Sequence, residues 1–540
     1  MKYLLIVILL LSALLRLPYL NSHMPSLYGD EIAIGYNAYS IVKTGRDEFG
    51  RFLPLQFQSW GDQKNPIYIY AVALFQLFTG PTPASVRIPS ALAGIIAVYL
   101  TYRLVLLLKL NRASALFSAL LLAVTPWHIH ISRGGYEANL ALTFSLASVV
   151  CLLNKKSFSS ALYLALGAYT YYTTKLFLPA LLLFVWLYIN WGVAFKKWAK
   201  SFLRYWLFVF ILAIPALYLM FFQNGQARFN AINIFKNPLV INQVERGRNF
   251  FANNQSILAK LTENRWVYHF QEFVGYYFDN FSGQFLFVSG DSNVRYGLAN
   301  HGMLYLLDAP LILVGLFLLF TKNRRAFTFL IVWWLLAPLP TSLVGKAYGL
   351  RSLVMLPIPQ IFAGYTLATW ISQVRKSKIT TISYALFTMC YLLLISNWLL
   401  RYVYQYPSYG RYWYDSPMKE AIDYAKERED QYDQIILTQH YGETSMYFAF
   451  YNQIDPRVYK AAKVNKLTVD GVPMIKIGKY YFGDIRPKGP IEKMDLPRNT
   501  LILVQPYFEY HESTILARDD GRPIFQVFSF PTVFMKEKGL

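Results

Sequence analysis

Acidic side chains are scarce in this chain: 30 Asp and Glu stand against 52 Lys and Arg in 540 residues. Cysteine is scarcer still. The two thiols, Cys151 and Cys390, each sit inside an apolar run, which supports neither a disulfide framework nor a metal cluster. Four motifs are also missing: Asp-x-Asp, a phosphate-binding Walker loop, Gly-x-Gly-x-x-Gly after a strand, and the Gly-x-Ser-x-Gly elbow. Their absence argues against metal-dependent use of nucleotide-sugar diphosphates, P-loop chemistry, dinucleotide binding and serine-hydrolase chemistry.

What the chain has in excess is apolar surface. It is 55% hydrophobic and 17% aromatic, and runs of about 20 apolar residues recur from the start, as in a multi-span membrane protein. Eleven spans are predicted, near 3–20, 84–108, 113–130, 138–153, 158–173, 176–191, 203–222, 303–321, 326–344, 352–371 and 380–400. The first run, MKYLLIVILLLSALLRLPYLNS, has a basic start but no small-x-small cleavage site after it, and reads as a retained helix.

The net charge of +22 is a topology signal. Lys109, Arg112, Lys155, Lys156, Lys196, Lys197, Lys200, Arg204, Lys322, Arg324, Arg325, Arg375, Lys376 and Lys378 fall in the loops on the side of the N-terminus. Such clusters mark the cytoplasmic side. All twelve acidic residues before position 400 fall on the other side. With the basic charge so placed, nucleic acid is not an expected partner. Three segments lie outside the membrane on the far face: a first loop over 21–83, a long loop over 223–302 and a tail from 401. The first loop holds two amphipathic stretches, expected to lie along the interface. In the tail, DSPMKEAIDYAKERED reads as a soluble helix, and QIILT, LILVQ and GRPIFQVFSF read as strands. The expected organisation is a helical membrane domain over 1–400 and a small extracytoplasmic α/β domain over 401–540.

Candidate chemistry gathers on the outer side. Asp30 and Glu31 open the first amphipathic stretch. They read either as a helix cap or as a general base at the membrane face. Asp62 and Lys64, in SWGDQKNPIYIY, read either as a solvated pair or as a lysine that neutralises a phosphate with Asp62 orienting it. Arg87 closes the outer end of the second span, as a snorkelling anchor or a site residue. The turn TPWHIHISRGGYEANL holds His128, His130, Arg133 and Glu137. Two His two residues apart do not share a helix face, which disfavours a metal pair on a helix. Arg133 is read as an anion contact and Glu137 as its polar partner. Lys175 and Arg351 end two further spans on the same side. The sequence requires no cofactor, and a divalent metal stays open. An enzyme at this face has no nucleotide pool to draw on and must be fed by an energised lipid.

Several stretches carry a resemblance: GDEIAIGYNAYSI, DQKNPIYIYAVALFQLFTG, VRIPSALAGIIAVYLTYRL and PLPTSLVGKAYGLRSLVMLPIP. Together they resemble the GT-C glycosyltransferases of the protein O-mannosyltransferase and lipid A aminoarabinose transferase superfamily. The resemblance implies a polytopic GT-C fold of about 11 transmembrane helices in the plasma (inner) membrane. The N-terminus would be cytoplasmic and the C-terminal domain extracytoplasmic. It also implies inverting transfer from a polyprenyl-phosphate sugar donor to a protein, lipid or glycan acceptor. Asp30 matches the proposed base, Glu31 supports it, and Lys64 matches the lysine that contacts the donor phosphate. Arg133 and Arg351 are weaker matches as phosphate or sugar contacts. The second stretch departs from the family by reading Lys-Asn-Pro, with Gln63 where aminoarabinose transferases carry Glu, so no metal role is transferred there. Tyr348 stands where many relatives carry His. A Trp-Trp-Asp signature is missing, since Leu335 follows Trp333 and Trp334, so en bloc glycan transfer to Asn is not expected. A lipid-linked-sugar flippase or transporter, or a non-catalytic scaffold in surface glycan assembly, are the rival readings.

Overall fold

In the computed structural model, the described residues are all except 1, 24–25, 60–61, 192–194, 223–232, 252–255, 375–377, 441, 470, 485–498, 505–513, 518–522 and 531–540. Arg375 and Lys376 of the basic loops lie outside this set. In chain order the first elements are α1 (Lys2–Arg16), α2 (Gly29–Thr44), β1 (Phe57–Ser59), β2 (Asp62–Lys64), α3 (Pro66–Thr79), α4 (Pro83–Leu107), α5 (Arg112–Val124), α6 (Pro126–Arg133), α7 (Glu137–Leu153), α8 (Ser157–Ala168), α9 (Tyr172–Ile189) and α10 (Phe195–Phe222). Later helices are named by their residues. Two compact units emerge. Unit 1 holds residues 1–18, 61–68 and 87–401, and unit 2 holds 19–60, 69–86 and 402–540.

Unit 1 is helical. Helices lie in the segments read as spans, but those read as single spans over 113–130, 326–344 and 352–371 are each broken, at Thr125, near Ala337 and near Leu356. Among the described residues, four are long and apolar enough to cross a membrane: Pro83–Leu107, Tyr172–Ile189, Ala199–Ala216 and Lys378–Gly410. The bent pair α5–α6 makes a fifth when counted as one span. Exposed apolar side chains such as Leu10, Leu14, Leu313 and Phe317 suit a lipid environment. Helix contacts are made close by small residues. A Cβ on Gly315, in helix Asp308–Lys322, would collide with the Phe362 carbonyl of helix Ile358–Val374. A Cβ on Gly364 would stand 2.6 Å from the Ser118 nitrogen of α5. Close backbone approach at small residues is how helices associate where no hydrophobic force separates protein from solvent.

The sequence breaks one helix deliberately. Thr125 is extended (φ −62°, ψ 126°) and Pro126 starts α6, so α5 and α6 meet at 55°. Pro126 has no N–H to continue the α5 ladder, which leaves carbonyls at the end of α5 without helix partners. The buried Arg16 guanidinium supplies donors there. It donates to the carbonyls of Ala123 (2.9 Å) and Leu122 (3.3 Å), to Ser12 of its own helix (3.2 Å), and to His128 Nδ1 (2.9 Å).

Unit 2 carries a seven-stranded mixed sheet in the order β4-β5-β6-β3-β7-β9-β8. Its strands are β3 (Gln434–Leu437), β4 (Leu467–Val469), β5 (Val472–Ile477), β6 (Tyr480–Phe482), β7 (Thr500–Val504), β8 (Thr514–Ala517) and β9 (Pro523–Phe530). β3 runs parallel to both β6 and β7, with Ile435 opposite Tyr480 and Leu501. Both β3 and β7 are buried along their whole length, which is why QIIL and TLILV read as unbroken apolar runs rather than alternating ones. Helices Ser416–Glu427, Thr444–Tyr451 and Pro456–Val464 complete this part.

Helix α2 departs from the expected interface helix. Ile32, Ala33, Ile34 and Tyr36 are all fully buried, so protein encloses the helix instead of one face meeting lipid. The Tyr36 ring lies edge-on to Tyr459 at 5.0 Å, and its hydroxyl donates to the Ile454 carbonyl. Tyr39 donates to the Gln453 carbonyl (3.0 Å). Gly35 admits Phe450, since a Cβ there would stand 2.7 Å from that ring. Burying Ile32 and Ile34 contributes about 1.5–3 kcal/mol each.

Candidate functional site

In unit 2 the candidate turn is the start of α2. Tyr28 is the N-cap residue, so Asp30 and Glu31 occupy the second and third helical positions. The cap reading for Asp30 is corrected in its detail. Glu31 reaches back and accepts from the Tyr28 N–H (3.3 Å), and the Gly29 N–H is taken by Asp415 Oδ2 (3.0 Å). Glu31 is fully buried, and Asp30 is partly exposed. Upstream, the Leu27 N–H donates to the Tyr451 hydroxyl (3.0 Å).

About two turns further along α2, Asn37 donates to Glu48 Oε1 (3.0 Å), and Lys463 binds Glu48 Oε2 (2.8 Å) and Glu443 (3.0 Å). Burial pushes the Glu48 carboxyl up to about 7, against the pull of Lys463. The two neighbouring carboxylates hold the Lys463 ammonium above its ordinary range.

In unit 1, Lys64 ends β2 and is buried (3% exposed). Its strand is held from α9, where the Tyr172 hydroxyl donates to the Gln63 carbonyl. The Lys175 ammonium lies 4.4 Å from the Tyr172 ring centroid, so Tyr172 links the segments of Lys64 and Lys175. The backbone of Asp62 belongs to β2, and its side chain lies outside the described set. Arg87 is buried in α4.

The α6–α7 turn forms a second group. Arg133 directs one N–H to the Leu15 carbonyl (3.2 Å) and another to Pro18 (2.9 Å), holding the end of α1. His128 and His130 both lie on α6, two apart on a helix, so they diverge. His130 Nε2 is 2.9 Å from the Arg295 carbonyl, and the Tyr136 hydroxyl donates to the same oxygen (2.7 Å). From there a row of rings continues. Tyr136 stands 5.5 Å from Tyr296, Tyr296 stands 4.7 Å from Tyr348, and the Arg351 guanidinium lies 4.6 Å from the Tyr348 ring. Trp127 fixes the neighbouring loop by donating to the Gly349 carbonyl (2.6 Å), while the Gly349 N–H donates to Asp291 Oδ2 (2.6 Å). Burial raises the Asp291 carboxyl, and the Asn293 and Gly349 amides and Arg351 lower it in turn. The structure therefore brings the turn of Arg133 and Glu137 and the loop of Arg351 into one connected network. Tyr296, Arg295, Asp291 and Asp415 were not singled out from sequence. The first three lie in the long loop over 223–302, and Asp415 opens the tail stretch read as a soluble helix. Among the described residues no group of three His, Cys, Asp or Glu could hold a metal ion.

Residues 63–219 match the family model described as dolichyl-phosphate-mannose-protein mannosyltransferase. That range takes in Lys64, Arg87, Arg133, Glu137 and Lys175. A putative mannosyltransferase, YycA of Bacillus subtilis, is 32% identical over 148 residues, which are 27% of this chain and 21% of that protein. The chain thus spans about a fifth of the length of this curated relative. Among solved structures, ArnT of Cupriavidus metallidurans bound to undecaprenyl phosphate is similar over 97% of both chains, with TM-score 0.51 and 12% identity. Its apo state gives 0.50 over 97% of this chain and 96% of that one. The chain shares its fold with ArnT over nearly the whole of both chains. At 12% identity this GT-C likeness speaks for the fold alone. The family match runs from β2 to α10.

Proposed function

We propose that the protein is a membrane glycosyltransferase that moves a sugar from a polyprenyl-phosphate donor to an acceptor hydroxyl at the extracytoplasmic face. The observation that carries this is the family match over residues 63–219, which includes the buried Lys64. It is supported by the GT-C fold and by a relative in that fold holding undecaprenyl phosphate. A plasma membrane location with the N-terminus inside completes the proposal.

The proposed chemistry is a single displacement. Asp30 takes the proton of the acceptor hydroxyl as that oxygen attacks the anomeric carbon. The bond from that carbon to the phosphate oxygen breaks, and the configuration inverts. Negative charge grows on the departing polyprenyl phosphate, where Lys64 and Arg351 stabilise it. Arg133 contributes to the same phosphate site and, through Leu15 and Pro18, holds α1. Glu31, Asp62, Arg87, Glu137 and Lys175 support the site.

The flippase reading draws on the polar break at α5–α6, because interrupted helices with buried charge mark transport sites. Here, however, Arg16 donates to helix carbonyls of α5 and α1, a structural use of the charge. The test is sugar transfer from a radiolabelled polyprenyl-phosphate hexose, with a membrane extract as acceptor source. Asp30→Asn, equally folded, is expected to lose about 10²–10⁴ of the wild-type rate. Equal rates would remove Asp30 as the base. No donor consumption by either protein, across a panel of hexoses, would favour the flippase.

A further inference from the structure

Asp415 stands at a sharp turn and behaves unlike a residue that opens a helix. It precedes helix Ser416–Glu427, yet its side chain makes no cap bond to that helix. Its backbone is left-handed (φ 48°, ψ 31°), a conformation that Asp tolerates better than most residues and that persists only where the surroundings hold it. The carboxylate is turned to α2 instead. Oδ2 accepts from the Gly29 N–H at 3.0 Å and from the Tyr447 hydroxyl at 2.9 Å. Tyr447 sits in helix Thr444–Tyr451 and is buried. Next to Asp415, the Tyr414 ring meets Tyr28 edge-on at 5.9 Å.

Gly29 is the first helical residue of α2, so its N–H is one of the donors a helix cannot satisfy internally. A carboxylate at that end also meets the positive end of the helix dipole. The acceptor comes from 386 residues away in sequence. We propose that Asp415 is a positioning residue: it caps α2 from outside, fixes the first turn, and so sets the direction of Asp30 for proton abstraction. Tyr447 in turn fixes the Asp415 carboxylate. This rests on the reading of Asp30 as the base.

The experiment uses the full chain in detergent, with Asp415→Ala, Asp415→Asn and Asp30→Asn beside wild type. Hydrogen exchange is followed on peptides covering 27–36, and kcat and KM are measured with radiolabelled undecaprenyl-phosphate mannose. Asp415→Ala is expected to raise exchange at the start of α2 about tenfold, the size of a lost cap. It is expected to lower kcat about tenfold or more with KM and melting midpoint near wild type, as misdirected catalytic groups do. Asp415→Asn keeps an oxygen for the Gly29 N–H and is expected to restore both readings to within a few fold. Wild-type exchange at 27–36 in Asp415→Ala overturns the proposal, and so does a kcat loss that only follows a lowered melting midpoint. The exchange reading decides even where this donor is not turned over. If Asp30→Asn is inactive and Asp415→Ala has wild-type kcat, the positioning role fails and the base stands. If Asp30→Asn is fully active, the base fails, and exchange still judges the cap.

Discussion

At the residue scale, the acidic groups near α2 have divided their work. Glu31 closes the start of its own helix, while Glu48 is buried and shared between Asn37 and Lys463. Glu48 makes a pH prediction. Its carboxyl titrates near 7 in the fold and near its ordinary 4.3 when unfolded. The folded state therefore binds the proton more tightly, and stability is greatest below the unfolded value and falls as pH rises through about 7. At about 1.4 kcal/mol per unit, the loss is on the order of 3 kcal/mol. Melting of the purified protein between pH 5 and 8 is expected to show this fall. Glu48→Gln is expected to flatten it, since Lys463 keeps Glu443 as a partner. An unchanged slope in Glu48→Gln would locate the titrating group elsewhere.

At the element scale, the helices of unit 1 depend on glycines that no apolar count would single out. Gly364 lies against the Ser118 backbone, and Gly315 lies against Phe362. Gly364→Val is expected to destabilise the protein by about 1–3 kcal/mol through overpacking, read as a lower melting midpoint. The same change at Gly275, where a Cβ meets nothing within 4 Å, is expected to leave it nearly unmoved. Equal effects at the two positions would show that helix propensity, not packing, is being measured. The broken helix α5–α6 belongs to this scale too. The span read over 113–130 ran through the Thr125–Pro126 step that breaks it, and the guanidinium that completes the break comes from α1, which that step does not reveal.

For the whole molecule, unit 2 is built from both ends of the chain. A chain ending at residue 401 would lack the partners of α2, namely Phe450, Tyr459 and Asp415. In such a truncation, amide exchange over 29–44 is expected to approach that of an unprotected helix, while α4 and α7 keep their protection. Retained protection over 29–44 would mean that α2 is held by something other than residues after 401. This division also shows what was legible beforehand. Apolar runs announce helices such as α4 and α9 because lipid selects composition over a fixed length. β3 and β7 were visible because strands buried on both faces carry unbroken Ile and Leu. The enclosure of α2 was not visible. A helix whose burying surface is supplied by residues 444–464 shows only its own pattern, and Tyr36 and Tyr39 look the same facing lipid or facing Tyr459. Asp30, Glu31 and Lys64 were found as candidates because their local motifs are short and contiguous. Asp415 was not, because its partner Gly29 is remote.

The remoteness has a consequence for synthesis. At roughly 5–20 residues per second, the 386 residues between Gly29 and Asp415 take on the order of 20–80 s to emerge from the ribosome. For that interval α2 has been made and its lid of tyrosines and phenylalanines has not. The nascent chain must carry an apolar helix without its permanent cover, and cleavage within 29–44 by a surface protease would report how often the wait ends badly.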